Sequence, residues 1–91
     1  MKIEFDPIKS QWNADDRGLP FDLAIDFNWE TALINPDERF LYSELRFAAF
    51  GFIGSRLHFL CYTPTEEGVR VISFRKANQR EVEHYEETID R

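Results

Sequence analysis

Cysteine occurs once in these 91 residues, at Cys61, and methionine once. A lone cysteine closes no internal disulfide, so no covalent staple supports the fold and a reducing, cytoplasmic setting is expected. Cys61 falls inside an apolar stretch, with no histidine or helix start beside it to lower its thiol, and is expected to be buried and inert. Hydrophobic runs are short. None nears the ~18–20 residues that a membrane-spanning helix needs. The opening Met1-Lys2-Ile3-Glu4 reaches an acid at once, which a secretory signal does not do. Glycine is scarce, at four residues, and no Gly-rich phosphate loop is spelled. The acids at 15–16 and 83–87 lack the carboxylate or histidine spacing of a metal site. Neither a metal nor a cofactor is expected.

What is present is bulk. Apolar residues make up 43% of the chain, and nine Phe with two Trp supply a core for one compact domain over residues 1–91. A domain this small buries only ~60–65% of its unfolded surface, which leaves partner burial able to matter. The net charge of −6 argues on average against a nucleic-acid binder, but it is unevenly spread. Residues 1–38 hold three Lys/Arg against nine Asp/Glu, and residues 81–91 one against five. Residues 39–80 reverse the balance, with seven cations and three acids. A basic strip on an acidic body is one reading; solvated charge scattered without a role is the other.

Lys2 to Phe5 alternates polar and apolar residues and reads as a first strand. Asp6-Pro7 is an N-cap followed by proline at the first helical position, and Gly18 ends that helix. Ile8 and Trp12 share one face of it. Phe21, Ala24, Ile25 and Asn28 predict a second helix over about 20–27. Strand signals follow, with a turn expected at Asn35-Pro36-Asp37, a long apolar strand from Leu45 to Ile53, and a tight turn at Gly54-Ser55. Residues 56–63 return antiparallel to that strand, and residues 69–75 form the last one. The expected fold is α+β: an antiparallel meander, two N-terminal helices and one C-terminal helix, with the helices on one face of the sheet.

Asn78-Gln79-Arg80-Glu81 has the form of a capping box, which gives Glu81 a structural task at the start of the last helix. Val82, Tyr85 and Ile89 share a face of that helix. Arg75 and Lys76, at the end of the last strand, have no such local explanation. Strict alternation places Ser73 and Arg75 on one strand face and Arg70 and Phe74 on the other, which separates the two arginines.

At these residues the chain resembles the BrnT family of type II toxins, ribonucleases of the RelE-like fold. The family's late block reads here as Arg70-Val71-Ile72-Ser73-Phe74-Arg75-Lys76-Ala77, followed by Glu81 and Tyr85. Its opening motif matches Phe5-Asp6-Pro7, Lys9 and Asn13, and later positions match Tyr62-Thr63 and Gly68. Two places depart from it: the usual Lys-His-Gly at the end of the first helix is Asp16-Arg17-Gly18, and Phe74 replaces a small residue.

The resemblance implies a growth-inhibiting endoribonuclease with Arg75, Arg70 and Tyr62 as catalytic residues and Lys76, Lys9 and Arg17 binding RNA. It implies a BrnA-type ribbon-helix-helix antitoxin in a two-plus-two complex, with operator DNA reached only through that antitoxin. The chemistry suits these residue types. Metal-independent transesterification needs a base at the 2′-OH, cations for the phosphorane charge and an acid for the leaving oxygen. A planar guanidinium donates two hydrogen bonds to a phosphate at once. His58 titrates near neutrality but stands mid-strand without a family match, and His84 lies among acids. The altered Lys-His pair keeps a second reading open, a catalytically degenerate binding module acting through protein contact.

Overall fold

Asp6 and Pro7 start the first helix for separate reasons. In the computed structural model, which describes residues 1–39, 41 and 43–90, the Asp6 carboxylate accepts from the Ile8 amide at 2.9 Å. Pro7 takes the position where a missing N–H costs no helical bond. Helix α1 spans Pro7–Arg17 and ends at Gly18, whose φ of 66° is the left-handed conformation that glycine adopts without a Cβ clash. The face holding Ile8 and Trp12 points to solvent; the buried side chains of α1 are the polar Ser10 and Asn13. Each has partners. The Ser10 hydroxyl accepts from the Phe21 amide at 2.8 Å, and the Asn13 amide donates to the Leu19 and Phe74 carbonyls.

The expected second α-helix is a 3₁₀ helix over Phe21–Asp26. Phe21, Ala24 and Phe27 are buried at a spacing of three residues, which is the 3₁₀ period, while Ile25 is turned outward. Bonds from Leu23 N to Pro20 O and from Phe27 N to Ala24 O have the matching i to i+3 pattern. Six residues are too few for an α-helix to repay its nucleation, so the packing of these three rings and methyls decides the winding.

Strands β1 (Lys2–Glu4), β2 (Leu33–Pro36), β3 (Phe47–Ile53), β4 (Arg56–Pro64) and β5 (Gly68–Lys76) form one sheet in the order β1-β5-β4-β3-β2. Strands β2 to β5 are the expected antiparallel meander. The sheet as a whole is mixed, because β1 lies parallel to β5. A Cβ at position 68 would collide with the Lys2 carbonyl, so Gly68 is what lets β1 dock. Asn35 and Pro36 belong to β2, paired with Ala48 and Phe47, rather than to a turn. Proline is tolerated there because β2 is an edge strand.

Helices cover both faces, not one. Against the first face, the 3₁₀ helix and its flanks bury Phe21, Phe27, Leu60, Val71 and Phe74 with their neighbours. The Phe27 ring occupies the space that a side chain at Gly51 would need. Phe74 is wholly buried, so the bulky residue in this block is core material. On the second face, helix α2 (Gln79–Ile89) sets Tyr85 and Val82 against Leu57, Phe50 and Phe52. The Tyr85 hydroxyl donates to the Thr31 carbonyl at 2.7 Å, which ties α2 to the chain entering β2. The rest of that second face stays open, and the site lies there.

Candidate functional site

Cross-strand partners point to the same side of a sheet. Phe59 pairs with Arg75 and Cys61 with Ser73, but Tyr62 pairs with Val71 and Thr63 with Arg70. One residue is therefore extra on β5 at Ile72, a β-bulge that shifts the alternation. Its effect is concrete. Val71 and Phe74, three apart, both face the core, and Arg70, Ser73 and Arg75 all fall on the open second face. The separation of Arg70 from Arg75 expected from strict alternation is corrected by this single inserted residue.

A groove of about 600 Å³ runs over this face, lined by Arg39, Arg46 and Arg75, by Asp37 and Glu81, and by Ile72, Ser73 and Cys61 at its floor. Arg46 and Arg70 line a smaller adjoining depression together with Lys9 of α1. Four arginines thus line the groove and its adjoining depression, and sequence reading names only Arg70 and Arg75 as site residues. Arg46 sits just before β3 in an apolar run whose pattern gives no sign of a site, and Arg39 follows β2 outside any strand or helix.

Carboxylates accompany each groove arginine. Glu81 grips Arg75 through two bonds, Nη1 to Oε1 at 2.7 Å and Nη2 to Oε2 at 2.9 Å. The Arg75 guanidinium also lies 4.4 Å from the centre of the Phe59 ring. Asp37, with a side chain only 2% exposed, holds Arg39 in the same bidentate fashion at 2.8 and 2.9 Å. Arg46 reaches Glu44 at 3.5 Å. Three cations of the expected basic strip, Arg39, Arg46 and Arg75, are thus ion-paired in the groove, Arg39 and Arg75 by acids from the two flanking segments.

The capping box is present, with the Asn78 side chain accepting from the Glu81 amide and Glu81 Oε1 accepting from the Asn78 amide, each at 2.9 Å. Glu81 thereby joins the helix start to Arg75, and the absence of a local role expected for Arg75 is corrected. The hydrogen bond from Arg75 is the main reason that the Glu81 carboxyl titrates below its ordinary range, and the same bond raises Arg75. Cys61 Sγ lies 3.7 Å from Asp37 Oδ2, and burial first, then the Asp37 charge, pushes this thiol up. Its expected inert character fits that environment.

The remaining candidates separate. Lys9 and Arg17 project from α1 into a third depression, of about 320 Å³, which also has Ile72 and Ser73 in its wall. Arg17 Nη1 donates to Asn13 Oδ1 at 2.6 Å. Tyr62 is on the other side of the sheet, 7% exposed, packed against Trp29 and Phe47, and burial raises its hydroxyl. Lys76, next to Arg75, also faces the other side, where it pairs across the sheet with His58. Tyr62 and Lys76 are not brought to the arginines. His58 is buried with its ring 5.6 Å from Phe74, and desolvation lowers it. No histidine lines the groove. Among the described residues no three His, Cys, Asp or Glu side chains gather as metal ligands.

A family model for the ribonuclease toxin BrnT of type II toxin–antitoxin systems matches residues 5–81. No curated protein and no solved structure matches the chain. The matched span runs from Phe5 through Glu81 and so takes in α1, the whole meander and the Arg75–Glu81 pair.

Proposed function

Because the chain belongs to the BrnT family of ribonuclease toxins of type II toxin–antitoxin systems, we propose that the arginine groove is the site where it cleaves RNA. The observation that carries this reading is the bulge at Ile72, which gathers Arg70 and Arg75 with Arg46 on one open face. The scissile phosphate sits over Ser73, and Arg75 and Arg70 donate to its non-bridging oxygens. As the 2′-oxygen bonds to phosphorus and the bond to the 5′-oxygen breaks, charge grows on those oxygens. Fixed guanidinium donors stabilise that charge more than they stabilise the ground state.

Glu81 is the acceptor for the 2′-OH proton. It is ionised, faces Arg75 and lines the groove, and 20% of its side chain is accessible. The leaving 5′-oxygen takes its proton from water in the open groove. Lys9 supplies charge at the margin, and Tyr62 and Lys76 have no part in this assignment. The antitoxin is of the BrnA type, a ribbon-helix-helix dimer in a two-plus-two assembly that covers the groove and alone touches operator DNA. The toxin works in the cytoplasm and slows growth there.

The pairing of Arg39, Arg46 and Arg75 with carboxylates, and the lack of a histidine in the groove, favour the rival reading of a non-catalytic module. Incubating purified protein with end-labelled RNA in EDTA separates the two. Cleavage to 2′,3′-cyclic phosphate and 5′-hydroxyl ends, lost in Arg75→Ala, is the expected outcome. Intact RNA under all conditions supports the module.

A further inference from the structure

Lys9, Trp12, Asn13, Asp16 and Arg17 occupy positions i, i+3, i+4, i+7 and i+8 of α1, the stripe that an amphipathic helix normally fills with apolar core residues. Only Asn13 turns inward. Trp12 is 65% exposed, so most of the largest apolar side chain of the helix is left in water. It borders the depression of about 320 Å³ between α1 and β5. That volume is at the small end of ligand clefts, ~300–1,000 Å³, and suits one planar ring system.

We propose that Trp12 is a stacking platform for an unpaired base of the RNA strand whose phosphate occupies the arginine groove. The proposal rests on the ribonuclease reading and extends it to a second subsite. Continuity supports it: Ile72 and Ser73 line both the depression and the groove, and Lys9 lines both the depression and the Arg46–Arg70 recess. A strand leaving the groove over Ile72 and Ser73 enters the depression that Lys9, Trp12 and Arg17 line. Asp16 in the wall identifies which part of the nucleotide enters. A carboxylate repels a phosphate but accepts from the amino groups of a base. Stacking needs only a π-face, so Trp12 contributes affinity with little sequence preference.

The two tryptophans make the test direct. Trp29 packs against Phe27 and Tyr62, so Trp12 is the solvent-facing fluorophore. A 2′-O-methyl oligonucleotide of mixed sequence, which cannot be cleaved, is titrated into wild type, Trp12→Ala, Trp12→Phe and Arg75→Ala. Wild-type emission should be quenched on binding. Trp12→Ala should bind roughly 5- to 100-fold more weakly, the effect of losing one base–aromatic stack. Its cleavage defect should lie in KM rather than kcat, and Trp12→Phe should recover most of the loss. If Trp12→Ala binds as wild type while Arg75→Ala does not, this subsite is wrong and the ribonuclease reading stands. If Trp12→Ala keeps RNA affinity but loses its antitoxin, the patch belongs to the protein partner and the proposal is overturned. A wild type that neither binds nor cleaves RNA brings down both.

Discussion

The Asn13 side chain donates to the Phe74 carbonyl at 2.9 Å, across 61 positions of sequence. Strand β1 covers β5 only from Gly68 to Arg70, and α1 serves the edge beyond it. The same amide donates to Leu19 O at 2.7 Å, and Arg17 holds its oxygen. One buried asparagine therefore fixes the helix, its exit and the strand that presents the arginines. Asn13→Ala strands two carbonyls, each with a desolvation cost of ~1–3 kcal/mol. The expected loss is about 2–4 kcal/mol in a urea melt, enough to threaten a domain of this size. A loss under half a kcal/mol would mean that water replaces Asn13 without penalty.

Arg75→Ala should separate activity from stability. The Arg75–Glu81 pair is partly exposed, so its removal should cost ~0.5–1 kcal/mol, a small shift in melting temperature. Loss of a donor aimed at the transition state should lower the cleavage rate ~30- to 1000-fold. Glu81→Gln is the companion, since glutamine can still close the capping box but accepts no proton. It should melt no lower than Arg75→Ala, having lost the same ion pair, and cleave poorly. If both variants cleave normally, the groove is not the site.

Stability should fall on acidification in two separate windows. His58 is lowered from its ordinary 6.5 by burial, so the unfolded chain binds its proton first. Its contribution is complete above 6.5 and is lost as pH falls from there toward the folded value. Glu81 is lowered from 4.5 by Arg75, so its contribution holds above 4.5 and is lost below. Urea midpoints from pH 8 to 3 should decline in both windows for wild type. His58→Leu should remove the first decline and Glu81→Gln should reduce the second.

Elements whose signals are local were legible in the chain: Asp6-Pro7, Gly18, the Asn78–Glu81 box and the Gly54 turn all form as their residue types require. What was hidden depends on residues distant in sequence. The β-bulge at Ile72 exists because Val71 and Phe74 must both reach the core, a demand that no run of seven residues displays. The 3₁₀ winding follows from burial of Phe27 on Gly51, and the parallel β1 from space left by Gly68. The charge asymmetry was visible, but its neutralisation was not. Asp37 and Glu81 come from outside the basic segment, and only the fold sets them on Arg39 and Arg75.

Replacing Asp16 and Arg17 by Lys and His, the pair usual in the family before Gly18, should raise the cleavage rate. Both residues border the depression that shares Ile72 and Ser73 with the groove, so a histidine at 17 stands beside the reacting strand. It would bring a proton donor near neutrality to a site whose leaving oxygen otherwise relies on water. A positioned general acid contributes ~10²–10⁴-fold. The cost is the bond from Arg17 to Asn13, so the double variant should melt slightly lower. Single-turnover rates at saturating RNA, from pH 5 to 9, make the comparison independent of any change in binding that Asp16→Lys brings. A new limb in the pH profile near 6.5 is the signature of the histidine. A wild type already active, with rate and profile unchanged by the double substitution, would mean that the groove needs no histidine and that Glu81 with solvent suffices.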